Sequence, residues 1–389
     1  MTKSRRPCRF TETTLDTPNL NTELNETAAL PIEFVGAMNE EARRVETKIL
    51  APRGLERRRV LILGGAGYIG SPLTRHLLDA GYAVRNLDLL LYGNHATVYP
   101  FLGEPNYEFR FGDHCDAATV EAALEDVTDV IILSGLVGDP VTRKYPAESR
   151  AINHDGIQNL FGLLNGRGLN KVVFVSTCSN YGLIPEGAIA AEDYELKPLS
   201  DYATAKVAAE ELLLGAKGSV DYRPTVLRFA TAFGLSHRMR FDLTVSEFTR
   251  HLFLGEALLV YDAETWRPYC HVRDFGRAIR RVLEAPAERT SFQVFNAGGD
   301  VNNFTKQMII DEIREFLPDS KVSYQEKGND PRNYRVDFSK IRETLHFEPR
   351  LTVRDGIAEL IGALSQNLFA GVDANPNFFG NYELKYSAP

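Results

Sequence analysis

The chain has 389 residues, of which 44% are hydrophobic and 25% charged, and its formal net charge is -8. A chain of this length can bury a sizeable core in one large domain or two joined ones. The acidic balance argues against a nucleic-acid surface. The four cysteines are dispersed without metal-ligand spacing, and neither a long apolar run nor a secretory segment is visible. We therefore expect a cytoplasmic protein with reduced thiols, no metal site and no membrane partner.

The first 55 residues differ from the rest of the chain. Residues 11–27 are rich in Thr, Asn, Asp and Glu and lack periodicity, which predicts an N-terminal extension (1–55) that is flexible or wrapped over the body. Residues 40–50 within this extension are predicted to form a short helix.

From residue 56 to residue 235, apolar strands alternate with amphipathic helices. Strands are predicted at 59–64, 82–88, 107–111, 129–134, 171–177 and 223–229, and helices at 68–80, 116–125, 149–166 and 201–216. Near-continuous apolar strands between helices predict a parallel sheet that is covered on both faces. The expected fold class is therefore α/β, with a Rossmann-type doubly wound sheet.

The pattern loosens between residues 236 and 370. Strands are predicted there at 257–261 and 292–296, and helices at 243–254, 273–284, 304–316 and 353–368. We expect these elements to form a smaller α/β lobe that binds the substrate over the carboxyl ends of the main strands. Residues 371–389 are expected to form a C-terminal tail.

A buried strand runs directly into three glycines spaced three residues apart, Gly64, Gly67 and Gly70. Glycine at these positions lets the backbone turn tightly and approach a pyrophosphate closely. The helix that begins near Tyr68 and Ile69 adds unpaired N–H groups and the positive end of its dipole. The segment therefore predicts a dinucleotide site made by these five residues.

An acidic residue, Asp88, ends the second predicted strand. At this position a carboxylate can accept hydrogen bonds from both hydroxyls of the adenosine ribose, and its negative charge repels a 2′-phosphate. The cofactor is therefore predicted to be NAD rather than NADP.

Tyr202 and Lys206 are four residues apart and share one face of a predicted helix. Lys206, together with the positive charge of an oxidised nicotinamide, is expected to lower the pKa of the Tyr202 phenol toward the working pH. A tyrosine and a lysine at this spacing are more often a surface pair. Thr177 favours a catalytic pair here, because it ends the preceding strand and can hydrogen-bond the same substrate oxygen.

These segments resemble the extended short-chain dehydrogenase/reductase family, in its NAD-dependent nucleotide-sugar epimerase/dehydratase branch. The resemblance covers about residues 58–368, and beyond the motifs above it rests on the segments 112–113, 176–182, 267–274 and 337–340. It implies that Asp113 lies near the adenine and that Lys206 also holds the nicotinamide ribose. It further implies that Asn153 stabilises the active-site helix and that Arg332 contacts the diphosphate of a nucleotide sugar.

Members of this family commonly form homodimers through helices equivalent to those near 116–125 and 149–166. The second helix carries more apolar side chains than one sheet face needs, namely Ile152, Ile157, Leu160, Phe161, Leu163 and Leu164. A homodimer is therefore expected, the alternative being that all of these residues pack on the chain's own sheet.

The chain departs from the family pattern after Thr177. Dehydratases of the family have an acidic pair there, decarboxylases have a Glu at the position of Ser179, and 3,5-epimerising members have a Cys at that position. Here the two residues are Cys178 and Ser179. Dehydration is therefore disfavoured, and Cys178 is interpreted as a small buried residue in preference to a proton carrier. Thr231 stands where an Asn often contacts the sugar, which leaves the substrate open.

Several later residues are candidates for substrate contact. Arg267 favours a diphosphate ligand, and His271 in the same segment either approaches the substrate or is a hydrogen-bonded structural residue. His237, Arg238 and Arg240 follow the sixth strand, where they either meet a phosphate or sugar or form a solvated loop.

These residues predict an NAD-dependent epimerase that oxidises a nucleotide sugar at C4 and reduces it again from the other face. Tyr202 takes the hydroxyl proton, Thr177 orients the hydroxyl, and no further acid or base is needed. Two alternatives stay open: an NAD(P)-dependent 4-ketoreductase of a nucleotide-linked deoxysugar, and a non-catalytic cofactor-binding sensor. A reductase of flavonoids or sterols is disfavoured by Arg267 and Arg332.

Overall fold

The computed structural model describes residues 58–328, 330 and 332–386, so the predicted extension (1–55) and its short helix lie outside the described residues. The strands are β1 (Arg59–Leu63), β2 (Ala83–Asp88), β3 (Tyr107–Phe111), β4 (Asp129–Ile132), β5 (Lys171–Thr177), β6 (Pro224–Phe229), β7 (Thr231–Phe233), β8 (Leu258–Tyr261), β9 (Trp266–His271), β10 (Gln293–Ala297), β11 (Asn303–Thr305) and β12 (Val322–Gln325).

The helices of the described residues are α1 (Gly70–Asp79), α2 (Ala117–Ala123), α3 (Asp139–Lys144), α4 (Pro146–Arg150), α5 (Gly156–Leu164), α6 (Asp201–Gly215), α7 (Thr244–Phe253), α8 (Val272–Glu284), α9 (Ala287–Thr290), α10 (Lys306–Arg314), α11 (Ser339–Leu345) and α12 (Val353–Ser365). In this part of the chain, no helix has the length and apolar character that crossing a membrane requires.

The main sheet has seven strands in the order β10-β6-β5-β4-β1-β2-β3, and every neighbouring pair is parallel. Strands β4 and β6 are buried along their whole length, which is typical of a parallel sheet with helices on both faces. The predicted α/β class with a Rossmann-type doubly wound sheet is confirmed.

Two apolar cores lie on the two faces of this sheet. Leu73 of α1 and Phe275 of α8 pack on one face, and Phe275 stacks on Phe229 of β6 with ring centroids 3.8 Å apart. Val120 of α2 and Leu160 of α5 pack on the other. The helices thus fix the sheet, and the strand ends that carry the site are held from both sides.

A smaller lobe follows the sixth strand. It contains the sheet β11-β9-β7 and the pair β12-β8, and α7, α10 and α12 bury Val245, Ile310 and Ile357 in its own core. The helix predicted at 273–284 forms α8 and packs on the main sheet, so its assignment to this lobe was wrong. The strand predicted at 292–296 does not belong to this lobe either. It forms β10, which pairs in parallel with β6 at the edge of the main sheet. Its apolar character reflects burial in the main core, where Phe295 lies.

The helix predicted at 149–166 is not continuous. It is divided into α4, a π-helical turn at Ala151–Asp155 and α5. The apolar side chains expected to exceed what one sheet face needs are buried within the chain, since Ile152, Ile157, Leu160, Phe161 and Leu164 are each at most 5% exposed. Only Leu163 among them is partly exposed. The inference of surplus apolar surface was therefore wrong.

Candidate active site

A cavity of about 510 Å³ opens at the carboxyl ends of the main-sheet strands, where ligands of such sheets bind. Its volume lies in the range of ligand sites, about 300–1,000 Å³. The predicted site residues that line it are Gly64, Gly67, Tyr68, Ile69, Gly70, Asp88, Asp113, Thr177, Tyr202, Lys206, Thr231, Arg267 and Arg332. Two further predicted site residues, Asn153 and His271, do not line it.

The glycine turn forms one wall of the cavity and leaves no room for side chains. Gly64 has φ +84°, and a Cβ atom there would lie 2.8 Å from the backbone nitrogen of Ser134. A Cβ atom on Gly70 would overlap the carbonyl oxygen of Gly64. No side chain caps α1, which begins at Gly70, so the positive end of its dipole can attract an anion, although the Ser71 N–H already bonds the Gly67 carbonyl and Pro72 has no N–H. This cradle fits the pyrophosphate of a dinucleotide.

Two carboxylates line the cavity beyond β2 and β3. Asp88 accepts hydrogen bonds from the N–H groups of Ala66 at 2.9 Å and Leu90 at 2.8 Å, which ties the end of β2 to the glycine turn. Burial raises the pKa of Asp88, although these two N–H groups oppose the shift. Asp113 accepts a hydrogen bond from the N–H of Cys115 at 2.9 Å. We call the part of the cavity that is lined by the glycine turn, Asp88 and Asp113 the cofactor end. The contacts of these two acids with the ribose and the adenine stay predictions.

The three predicted catalytic residues converge at the end of β5. Helix α6 presents Tyr202 and Lys206 on one face, and the Lys206 Nζ lies 5.9 Å from the centre of the Tyr202 ring. That Nζ donates a hydrogen bond to the carbonyl of Val175 at 2.8 Å, which fixes the lysine against the strand. The Thr177 hydroxyl accepts the N–H of Ser179 at 3.1 Å and lines the same cavity.

The electrostatics of this pair differ from the sequence-based expectation. Burial raises the pKa of Tyr202, and the positive charge of Arg240 opposes the shift only in part. Burial also lowers the pKa of Lys206 to about 8, although the neighbouring Glu210 acts in the other direction. Lys206 alone therefore does not make Tyr202 a phenolate, and the cofactor's positive charge becomes a necessary part of the prediction.

A buried polar network supports the catalytic loop, and the sequence analysis missed it. Arg228 of β6 donates to the Oε2 of Glu210 at 2.8 and 3.0 Å, to its Oε1 at 3.3 Å, and to the Tyr181 hydroxyl at 3.0 Å. Asn180 donates to Glu210 at 2.7 Å. Because Glu210 follows Lys206 by one helical turn, the network ties α6 to the loop after β5. An arginine inside the apolar strand β6 was the available signal.

Charged side chains gather in the part of the cavity that is lined by Arg267, Asp330 and Arg332. We call this part the substrate end, because the family resemblance places the diphosphate of a nucleotide sugar at Arg332. Arg332 donates to both carboxylate oxygens of Asp330 at 2.7 and 2.8 Å and pairs with Asp139 at 2.9 Å. Arg267 lies 3.1 Å from Asp330 and over the ring of Tyr334. Although burial acts in the opposite direction, the hydrogen bond and charge of Arg332 and the charge of Arg267 lower the pKa of Asp330. Asp139 and Asp330 were not predicted as site residues.

His271 and Asn153 have structural roles in this arrangement. His271 is fully buried, its Nε2 lies 2.8 Å from Glu359, and its Nδ1 accepts the N–H of Arg273 at the start of α8. Its assignment to the substrate is therefore wrong. Asn153 exchanges two hydrogen bonds with the backbone of Leu136, at 2.7 and 2.9 Å, and so holds the loop after β4.

The segment after β7 places two arginines on the cavity and its histidine away from it. Arg238 lies over the ring of Tyr92 at 4.2 Å, and Arg240 donates to both carboxylate oxygens of Asp242 at 2.6 and 3.0 Å. Burial, together with the charge of Arg240, lowers the pKa of Arg238 to about 10. His237 is not part of the cavity lining. A solvated loop is therefore excluded for the two arginines, which are buried, and their contact with a phosphate or sugar stays a prediction.

The predicted C-terminal tail also reaches the cavity. Asn381, Tyr382 and Tyr386 are part of its lining. Residues 382–386 have neither helix nor strand, so no hydrophobic periodicity in the sequence could indicate their position.

Comparison with known proteins agrees with this geometry. The chain is 29% identical over 321 residues to a dTDP-glucose 4,6-dehydratase from Streptomyces niveus, a match that covers 78% of this chain and 91% of that protein. The structure of MoeE5 in complex with UDP-glucuronic acid and NAD is 26% identical, with a TM-score of 0.69 over 79% of this chain and 99% of that one.

A UDP-glucose 4-epimerase from Thermotoga maritima, solved with UDP-glucose, is 25% identical, with a TM-score of 0.71 over 80% of this chain and 99% of that one. The model of the NAD dependent epimerase/dehydratase family matches residues 60–298, which include the glycine turn, Asp88, Thr177, Tyr202 and Lys206. The chain therefore belongs to the NAD dependent epimerase/dehydratase family, whose cofactor is NAD.

Proposed function

We propose that this enzyme is an epimerase that inverts C4 of a nucleotide sugar by transient oxidation and reduction. Bound NAD supplies the chemistry of accepting and returning a hydride. Tyr202 removes the proton of the sugar hydroxyl, and Thr177 hydrogen-bonds the same oxygen. Lys206 keeps a positive charge near the phenol. Burial raises the pKa of Tyr202, so Lys206 would need the positive charge of the oxidised cofactor beside it to make the phenol a proton acceptor.

The observation that carries the proposal is the chemistry of the two residues after Thr177. Cys178 is 1% exposed, its thiol lies 3.2 Å from the carbonyl of Arg228, and it is not part of the cavity lining. Ser179 lines the cavity with a hydroxyl group. Neither residue supplies the acid–base pair that elimination of water needs, whereas an epimerase needs only one proton carrier.

The carboxylates near the catalytic residues are already held by arginines. Asp242 is bound by Arg240, and Asp330 and Asp139 both pair with Arg332. Although burial opposes it, the charge of Arg240 lowers the pKa of Asp242. A carboxylate with a lowered pKa is a poor proton donor, which further disfavours dehydration.

Two arginines support a substrate that carries a nucleotide diphosphate group. Arg267 and Arg332 lie on the same side of the cavity and share Asp330. Guanidinium groups suit phosphate oxygens because their donors match them in pairs. The relatives support the same class, since their names specify dTDP-glucose and UDP-glucose, and MoeE5 holds UDP-glucuronic acid.

The reaction is tested by incubating the purified protein with UDP- and dTDP-hexoses in D2O and analysing the products by NMR. The expected product is the C4 epimer without deuterium on carbon and without net use of NAD(H). A 4-keto-6-deoxy product or deuterium at C5 would instead identify a dehydratase. Stoichiometric use of NADH or NADPH with a 4-keto substrate would identify the ketoreductase.

We also propose a homodimer, which now rests on the family resemblance alone, because the apolar residues once counted for it are buried within the chain. Leu163 is the one leucine of α5 that is partly exposed. Light scattering at micromolar concentration should give twice the mass of the chain, and Leu163→Asp should halve it if α5 lies at the interface. A monomeric parent would exclude the dimer.

A further inference from the structure

The C-terminal strap, defined as residues 377–386, crosses the cavity on the side of the cofactor end. Three of its side chains line the cavity together with Asp88 and Asp113. The strap lies outside residues 60–298, the range that the family model matches. We propose that the strap is the outer wall of the NAD site and holds NAD there between turnovers. This inference rests on NAD as the cofactor and does not depend on the reaction being an epimerisation.

One attachment of the strap joins two walls of the cavity. Arg238, which is 3% exposed, donates to the Asn381 side-chain oxygen at 2.7 Å and to the carbonyl of Gly380 at 3.1 Å. The Asn381 amide in turn donates to the carbonyl of Val137 at 2.7 Å. Asn381 therefore links the segment after β7 to the loop after β4, and Val137 and Arg238 of these two segments line the cavity.

A second attachment is apolar and lies further along the strap. Leu384 is 8% exposed and packs in a cluster with Leu136, Val141 and Ile152. Beside it, Glu383 accepts a hydrogen bond from the Tyr145 hydroxyl at 2.6 Å. The loop after β4 is thus covered by the strap at two points, and Leu384 is the side chain that seats it.

Tyr386 ends the strap beside Asp113 and Cys115, which lie in the segment after β3. Burial, together with the neighbouring Cys115 thiol and Asp113 carboxylate, raises the pKa of Tyr386. Because Tyr386 and Asp113 line the same cavity, the strap reaches the end where the family resemblance places the adenine.

These contacts have a kinetic consequence. The strap joins the loop after β4 to the segment after β7, so opening the cofactor end on this side requires breaking the Asn381 hydrogen bonds and exposing Leu384. Weakening the strap should therefore act mainly on the rate of NAD release, as contact losses commonly do. An epimerase gains from such retention because it does not exchange NAD between turnovers, yet any enzyme of this family can carry the strap.

The test is the rate of NADH release from the full-length protein, followed by its fluorescence after mixing with excess NAD. Asn381→Ala and Leu384→Asp should each raise this rate by about tenfold or more, equivalent to about 1.4 kcal/mol. Lys385→Ala is the matched control, because Lys385 lies in the same strap but is exposed. It should release NADH at the parental rate.

Tryptic cleavage after Lys385 reports on the strap itself and should slow when NAD is bound. Thermal unfolding without cofactor identifies a variant that fails to fold. If Leu384→Asp fails to fold, the NADH release rate of Asn381→Ala still tests the proposal. The proposal would be overturned if either variant were cleaved faster than the parent but released NADH at the parental rate. It would also be overturned if NAD did not change the rate at which the parent is cleaved. The product analysis in D2O is separate, so a wrong reaction assignment leaves this result standing.

Discussion

The two ends of the cavity differ in whether backbone or side-chain atoms form their walls. The cofactor end is made largely of backbone, with the turn Gly64–Gly70 and the uncapped start of α1 facing the cavity. The other end, where we propose that the substrate binds, is made of charged side chains, and Arg267, Asp330 and Arg332 form its centre. A backbone site tolerates no added atoms, whereas a side-chain site can change its ligand by exchanging residues. The difference explains how one cofactor can serve relatives that act on different sugars.

The largest expected effect breaks the chemistry between the two ends. Tyr202→Phe removes the proton carrier but no part of the glycine turn, so turnover should fall by a factor of about 10² to 10⁴ while NAD stays bound. Turnover is measured with the sugar identified in D2O, and bound NAD by its release on denaturation. Thr177→Val is the milder comparison, because it removes one hydrogen bond and keeps the phenol. Turnover of Tyr202→Phe within a few-fold of the parent would exclude the assignment.

The second prediction tests the buried network beneath both ends. Arg228→Met leaves Glu210 buried without its cationic partner, although Asn180 and Ser176 still donate to it, and this should lower the free energy of unfolding by about 3–5 kcal/mol. Arg354→Ala is the matched control, because Arg354 is 49% exposed in its pair with Glu312, and an exposed pair contributes about 1 kcal/mol at most. Urea unfolding without cofactor measures both. Equal losses in the two variants would show that burial of the Arg228–Glu210 pair does not matter.

The third prediction tests the backbone character of the cofactor end. Gly64→Ala should weaken NAD binding by about tenfold or more, because the added Cβ meets the backbone of Ser134 and forces the turn to move. Gly81→Ala is the control, since Gly81 also has a positive φ of +88° but has no atom within 4 Å of a Cβ. Both variants carry backbone strain, and only Gly64→Ala should lose affinity in calorimetry. Equal affinities would place the pyrophosphate elsewhere.

The features that could be predicted from the sequence are mostly those that depend on local spacing, and those that could not are mostly contacts between distant side chains. The six main-sheet strands predicted between residues 59 and 229, the glycine turn, and the pair Tyr202 and Lys206 follow from local spacing, and the structure brings them together as predicted. The pairing of Arg332 with Asp139 joins residues far apart in the chain, and the position of β10 is set by its partner β6. Such contacts depend on tertiary packing and leave no periodic signal, so Asp139, Asp330 and the strap could not be derived.

The last prediction concerns Asp88, an acidic side chain of the cofactor end that is hydrogen-bonded to the glycine turn. It tests whether this side chain selects the cofactor. Asp88 holds the N–H of Ala66 at 2.9 Å and lines the cavity, so its charge should repel the 2′-phosphate of NADP. Calorimetry should therefore show tighter binding of NAD than of NADP by the parent. Asp88→Ala should narrow this preference by several-fold. Asp88→Asn should narrow it too while keeping one of the two backbone hydrogen bonds, because its single side-chain oxygen can accept the N–H of Ala66 or of Leu90 but not both. Equal affinity of the parent for NAD and NADP would show that the Asp88 charge does not face the ribose.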